Sequence, residues 1–153
     1  MKPGVFTQLY IQLIFSPKNR EALLRKEQQK QLWPYLGKTL SNLGNKSIIV
    51  NGQADHVHIF LGLNPKVAIS DLVRDLKRSS SLWINGQKWF PGTFSWQDGY
   101  GAFSYGRSQL DDVYKYIANQ GDHHKKRSFR DEYTALLRLF EVEFEEQYLF
   151  EFF

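Results

Sequence analysis

Two histidines one residue apart, His56 and His58, sit inside the apolar run Asp55-His56-Val57-His58-Ile59-Phe60-Leu61-Gly62-Leu63. Side chains alternate faces along a strand, so in extended chain the two imidazoles share a face with their backbones about 6–7 Å apart. Both then reach a single divalent ion, while Val57, Ile59, Leu61 and Leu63 line the opposite, core-facing side. Two surface histidines on a half-exposed strand fit the same spacing, and spacing by itself does not separate these readings. The second stretch with chemical content is Tyr114-Lys115-Tyr116-Ile117-Ala118-Asn119-Gln120. Read as helix, it puts Tyr116 and Gln120 four apart on one stripe, displaced from the Val113/Ile117 stripe. A phenol aligned with an amide off the core face suits a nucleophile beside a metal ligand; an amphipathic helix with a boundary tyrosine accounts for the same pattern.

These residues need a sheet to carry the histidines and a helix to carry the tyrosine. Val5 to Ser16 alternates as a strand. Helical spacing of Leu23, Leu24, Leu32, Leu36 and Leu40 follows over 19–43, with Pro34 expected to kink it or start a second segment. A short strand over 46–50 leads through Asn51-Gly52, a hairpin signal read as a loop longer than two residues, into the histidine strand. A helix is expected from Ser70 to Ile84, with Leu72, Val73, Leu76, Ser80 and Trp83 on one face. Phe94 to Phe103 reads as a last strand or hairpin. Helices then run from Ser108 to Gln120, with Leu110, Val113, Tyr114 and Ile117 inward, and from Ser128 to Phe140. The order β-α-β-β-α-β predicts an α+β chain with a ferredoxin-like, split βαβ antiparallel sheet, the histidine strand central, and additional C-terminal helices carrying the tyrosine. One domain spans 1–153, with a core over about 5–105, the tyrosine helix at about 108–121 and a C-terminal helix and tail over 128–153.

The absence of cysteine excludes a disulfide framework and a zinc-thiolate site. No apolar run approaches a bilayer span and no signal-peptide h-region is visible, so a cytoplasmic location and no membrane partner are expected. The net charge of +4 conceals an asymmetry: residues 1–130 carry 19 of the 20 Lys and Arg against 9 of the 16 acids (+10), and 131–153 carry one Arg and seven acids (−6). A basic body suits a polyanion. Two basic clusters are candidates for phosphate contact: Arg74, Lys77 and Arg78 on the second helix, and His123-His124-Lys125-Lys126-Arg127 just past the tyrosine helix. Trp96, Tyr100 and Phe103 suit base stacking or core, with core expected for at least one.

Three blocks, Asp55-His56-Val57-His58, Trp96-Gln97-Asp98-Gly99-Tyr100-Gly101-Ala102-Phe103-Ser104 and Tyr116-Ile117-x-Asn119-Gln120-x-x-His123-His124, closely resemble in order and spacing the single-tyrosine HUH transposases. That family includes small insertion-sequence transposases and their REP-associated relatives. The likeness runs from Leu13-Ile14-Phe15-Ser16-Pro17-Lys18-Asn19-Arg20 to Phe129-x-x-Glu132-Tyr133. It implies that His56, His58 and Gln120 bind Mg²⁺ or Mn²⁺, of which Mn²⁺ better matches imidazole. It also implies that Tyr116 attacks single-stranded DNA near a hairpin, giving a 5′-phosphotyrosine and a free 3′-OH with no ATP. Tyr114, about 200° round the helix, is set aside as nucleophile. The resemblance further implies a homodimer in which the histidines of one chain serve Tyr116 of the other. A catalytically silent nucleic-acid-binding module and a metal-dependent hydrolase without covalent catalysis are the alternatives from other classes.

Overall fold

The alternation along the apolar stretches becomes a two-faced sheet. The computed structural model describes residues 3–19, 22–121 and 127–153. Its elements in chain order are β1 (Tyr10–Phe15), α1 (Lys26–Asn42), β2 (Lys46–Gln53), β3 (His56–Gly62), α2 (Ile69–Gln87), β4 (Gly101–Tyr105), α3 (Leu110–Ala118) and α4 (Phe129–Leu139). The strands form one antiparallel sheet in the order β2-β3-β1-β4, the ferredoxin-like arrangement, with β3 and β1 central. In the register Ile14 lies opposite His58, Gln12 opposite Phe60 and Phe15 opposite Val57. Period-two alternation therefore puts Ile11, Leu13, Phe15, Val57, Ile59 and Leu61 on one face and Gln12, Ile14, His56, His58 and Phe60 on the other. All of these side chains are buried, so both faces of the sheet are covered.

Helices α1 and α2 contribute Leu32, Leu36, Leu40, Leu72, Val73, Leu76 and Ile84 to the main core. Across the sheet, Phe60, Val113 and Ile117 form a smaller cluster beneath α3. Full burial of such a side chain contributes about 1.5–3 kcal/mol, enough to seat a helix of nine residues. Helix α4 comes so close to β4 that a Cβ on Gly101 would meet the Tyr133 ring at 2.8 Å. No helix among the described residues is long and apolar enough to cross a membrane.

Several expected boundaries move, each for a local reason. Val5 to Leu9 leaves the sheet because both neighbours of β1 run out at Tyr10, whose partners are Gly62 and Tyr105. Pro34 lies inside the single helix α1; it and Lys30, whose carbonyl it cannot bond, are both exposed, so water can serve the freed carbonyl. Leu23 and Leu24 precede that helix. The β2–β3 turn is the two residues Ala54-Asp55, and Asn51-Gly52 lies within β2. Gly52 is required there by space, since a Cβ would sit 2.2 Å from the His56 carbonyl oxygen. Helix α2 starts at Ile69 and runs to Gln87, where Lys88 adopts φ 56° and ends it. Of the expected last strand only 101–103 pairs with β1, and the pairing continues to Tyr105; upstream, Trp96 is buried and bridges to Pro17, and Gly99 turns the chain at φ 90°. Phe103 is core and Tyr100 is exposed. Tyr114, expected inward, is 44% exposed. The 3-10 turn Arg107–Gln109 replaces the first turn expected for α3. Ser128 caps α4 by accepting from the Asp131 amide.

Candidate active site

On β3, His56 and His58 are both fully buried, their rings 5.1 Å apart. Each is oriented by its Nδ1. The Asp55 carboxylate, which can only accept, lies 2.7 Å from His56 Nδ1, so that nitrogen carries the proton. Gln12 presents Oε1 to His58 Nδ1 at 2.7 Å while its Nε2 donates to Tyr105 Oη at 2.8 Å, which assigns the proton of His58 to Nδ1. Both Nε2 lone pairs therefore face inward, the carboxylate–histidine and amide–histidine arrangement that makes imidazole a metal ligand. The His56 ring is also stacked on Phe129 of α4 at 4.1 Å with the planes 1° apart. Replacing Gln12 with Leu should release the His58 tautomer and weaken Mn²⁺ binding by about 10–100-fold. Calorimetry checks this, and unchanged affinity would show that Gln12 does not orient His58.

Two oxygen donors meet those nitrogens. Gln120 Oε1 stands 2.9 Å from His56 Nε2, and Glu132 Oε1 stands 2.6 Å from His58 Nε2 and 3.9 Å from His56 Nε2. With Nδ1 protonated, each short contact sets a lone pair against a lone pair. For His58 and Glu132 a positive charge makes the contact attractive, a second proton on imidazole or a shared cation; for His56 the Gln120 amide can also turn its Nε2 to the ring nitrogen. The His56, His58 and Glu132 ligand atoms all lie within 4.8 Å of one another and all three residues are buried. Among the described residues, Glu132 Oε2 and Gln120 Nε2 are buried with no hydrogen-bond partner. A buried N₂O₂ donor set with an unsatisfied carboxylate oxygen fits a divalent ion, and Mn²⁺ or Mg²⁺ rather than a thiolate-seeking metal.

Burial pushes the Glu132 carboxyl up, but the His58 hydrogen bond, the charge of both imidazoles and the Tyr116 hydroxyl outweigh it and hold it down from 4.5 to about 2. A depressed carboxyl contributes stability above its unfolded pKa and loses it as pH falls through its folded one. In metal-free protein we expect this group to remove on the order of 3 kcal/mol between about pH 5 and pH 2. Urea unfolding should show Glu132→Gln with a flatter profile over that window; parallel profiles would place the acid sensitivity elsewhere.

Tyr116 projects from α3 towards this cluster, its ring 6.2 Å from that of His58. Arg127 Nη2 donates to its hydroxyl at 3.4 Å. Burial and the negative charge of Glu132 push the phenol pKa up, and Arg127 opposes them. The helix is held by Asn51, whose Nδ2 donates to the Ile117 and Ala118 carbonyls at 2.9 and 3.3 Å. Asn51 thus serves as an anchor for the C-terminal end of α3, the end that carries Tyr116 and leads to Gln120.

The structure brings His56, His58, Tyr116, Gln120 and Arg127 together within one chain. It adds Glu132, absent from the expected ligand set, and Gln12. Each had a signal: Glu132 lies on the buried stripe of α4 with Phe129 and Tyr133, and Gln12 interrupts an apolar strand. Arg74, Lys77 and Arg78 lie on α2, across the sheet from the histidines. Arg74 is paired with Asp71 and Asp75. Lys77 lies over the Phe15 ring and donates to the Gln97 and Gly99 carbonyls at 2.8 and 2.7 Å; burial lowers its pKa against the pull of Asp98. His123, His124, Lys125 and Lys126 lie outside the described residues.

The family model described as IS200-like transposase matches residues 5–120. The fold is similar to that of a candidate transposase from Deinococcus radiodurans R1, at 24% identity and TM-score 0.62 over 78% of this chain and 96% of that one. It is also similar to a REP-associated tyrosine transposase bound to a REP hairpin, at 14% identity and TM-score 0.59 over 81% of this chain and 74% of that one. A search of curated proteins returns no match.

Proposed function

Because the chain belongs to the IS200-like transposase family, we propose that it cuts and rejoins single-stranded DNA beside a hairpin, with Tyr116 as nucleophile. The observation that carries this reading is the convergence, in one chain, of two inward imidazole nitrogens, two oxygen donors and a phenol. The relative solved with a REP hairpin supports a folded single strand as substrate. His56, His58, Glu132 and Gln120 would hold the divalent ion, which when bound polarises the scissile phosphate and offsets its developing charge.

The chain's own groups do the rest. Tyr116 Oη attacks phosphorus, the bond to the 3′ oxygen breaks, and that oxygen leaves as a 3′-hydroxyl after taking up a proton. The phenol proton passes to solvent, and Arg127 steadies the negative charge on Oη. The phosphotyrosyl ester conserves the energy of the broken bond, so attack by a 3′-hydroxyl reverses the step without ATP. Incubating the protein with hairpin-bearing single-stranded DNA and Mn²⁺ should give a protein–DNA adduct that survives denaturing electrophoresis. Cleavage products without an adduct would indicate attack by water, and retention of intact DNA alone would indicate a silent binding module.

A further inference from the structure

Beside Tyr116, between α3 and α4, lies a cavity of about 500 Å³. Val113, Leu136, Tyr105 and Tyr116 line it together with Asp112 and Arg127. The volume falls within the range of about 300–1,000 Å³ of small-molecule sites. Its lining is wrong for a phosphate, which seeks several cations and backbone amides. A largely apolar lining that includes two tyrosines suits a heterocycle, because every base offers a π-face for stacking. The polar groups are of both kinds. Asp112 only accepts, Arg127 only donates, and Tyr105 Oη accepts from Gln12 and so keeps its own proton to give. A base edge, with donors and acceptors side by side, matches such a mixture.

The cavity also adjoins the atom that the proposed reaction requires. A phosphodiester brought against Tyr116 Oη carries a nucleoside on each side, and one of the two bases falls beside the same ring. We propose that this cavity receives the unstacked base of the nucleotide flanking the phosphate that Tyr116 attacks, and that it thereby selects where the strand is cut. The proposal rests on the DNA-cutting reading above and deepens it. The chain Tyr105–Gln12–His58 links the cavity to a ligand of the metal cluster, at 2.8 Å and 2.7 Å, so an occupied cavity also steadies the imidazole.

The test is a binding selection without metal, so that it does not depend on cleavage. A pool of DNA hairpins with randomised single-stranded tails is captured on the full chain in EDTA and sequenced. One tail position should show a base preference, and an abasic site there should weaken binding about tenfold. Ala135→Trp, which puts a bulky ring in the place of a small lining residue, should erase the preference while leaving Mn²⁺ affinity unchanged. Asp112→Asn, at an exposed position, should change which base is preferred, and it decides the matter if Ala135→Trp fails to fold. Capture with no base preference, or a preference indifferent to both substitutions, overturns the cavity assignment and leaves the DNA-cutting reading standing. Capture of no DNA overturns both. A change in oligomeric state in Ala135→Trp with base preference intact would assign the cavity to a second copy of the chain and overturn the proposal.

Discussion

Replacing Tyr116 with Phe removes the covalent DNA adduct, a loss of about 10³-fold or more, while leaving the fold and Mn²⁺ binding in place. The scale is that of deleting a covalent nucleophile from an otherwise intact site. Only the hydroxyl is lost, and the ring keeps its place against His58 and the small core of Phe60, Val113 and Ile117. Tyr114→Phe should retain wild-type adduct, because that side chain is 44% exposed and turned away from the cluster. Mass spectrometry of the adducted peptide separates the two, and an adduct on Tyr114 would overturn the assignment. The same-chain placement of Tyr116 beside His58 carries a second expectation. Mixing His58→Ala with Tyr116→Phe chains should not restore activity if Tyr116 works with the histidines of its own chain, beside which it lies. Restoration in verified heterodimers would mean that the tyrosine crosses between chains, as the family resemblance implies.

Divalent-metal binding collapses when the inward donors are removed one at a time. His58→Ala should abolish Mn²⁺ binding in calorimetry, and Glu132→Gln should weaken it by about 100-fold or more. The reason is the donor count: with four candidate donors at the cluster, each loss would leave an ion in a poorly filled site. Glu132→Gln is the informative change, since it keeps the shape and removes the charge. Glu132→Ala would break a buried pair and cost about 3–5 kcal/mol of folding stability on its own account, which confounds the reading. Mn²⁺ should bind more tightly than Mg²⁺, because imidazole nitrogen suits the softer ion. If Glu132→Gln kept wild-type affinity while Gln120→Ala lost it, the working ligands would be His56, His58 and Gln120 alone. Glu132 would then be a partner that neutralises the imidazoles.

Local periodicity settled a great deal about this protein. The alternation around His56 and His58 was enough to place both imidazoles on one face of a central strand. The element order predicted the strand order β2-β3-β1-β4, whereas α3 ends at Ala118, so Gln120 does not share one helical stripe with Tyr116 as its spacing suggested. The placement of the imidazoles is a short-range consequence of backbone geometry, which residue types a few positions apart express directly. The family resemblance supplied roles for the same residues.

What the sequence left open depended on which faces meet. Glu132 reaches His58 across 74 residues and Gln12 across 46. Each is a polar side chain on an otherwise apolar stripe, and nothing local distinguishes a ligand from a misplaced surface group. Only the docking of α4 over β4, permitted by Gly101, brings Glu132 into the cluster. The basic face of α2 was a candidate for phosphate contact, and the helix layer puts it across the sheet from the histidines. Asn51-Gly52 had the composition of a turn, but the register of β2 on β3 uses Asn51 to hold α3 and Gly52 to admit the His56 carbonyl. Periodicity determines which side of an element is buried; the partner it is buried against is decided by long-range register and helix packing, and that is where the chemistry of this site was completed.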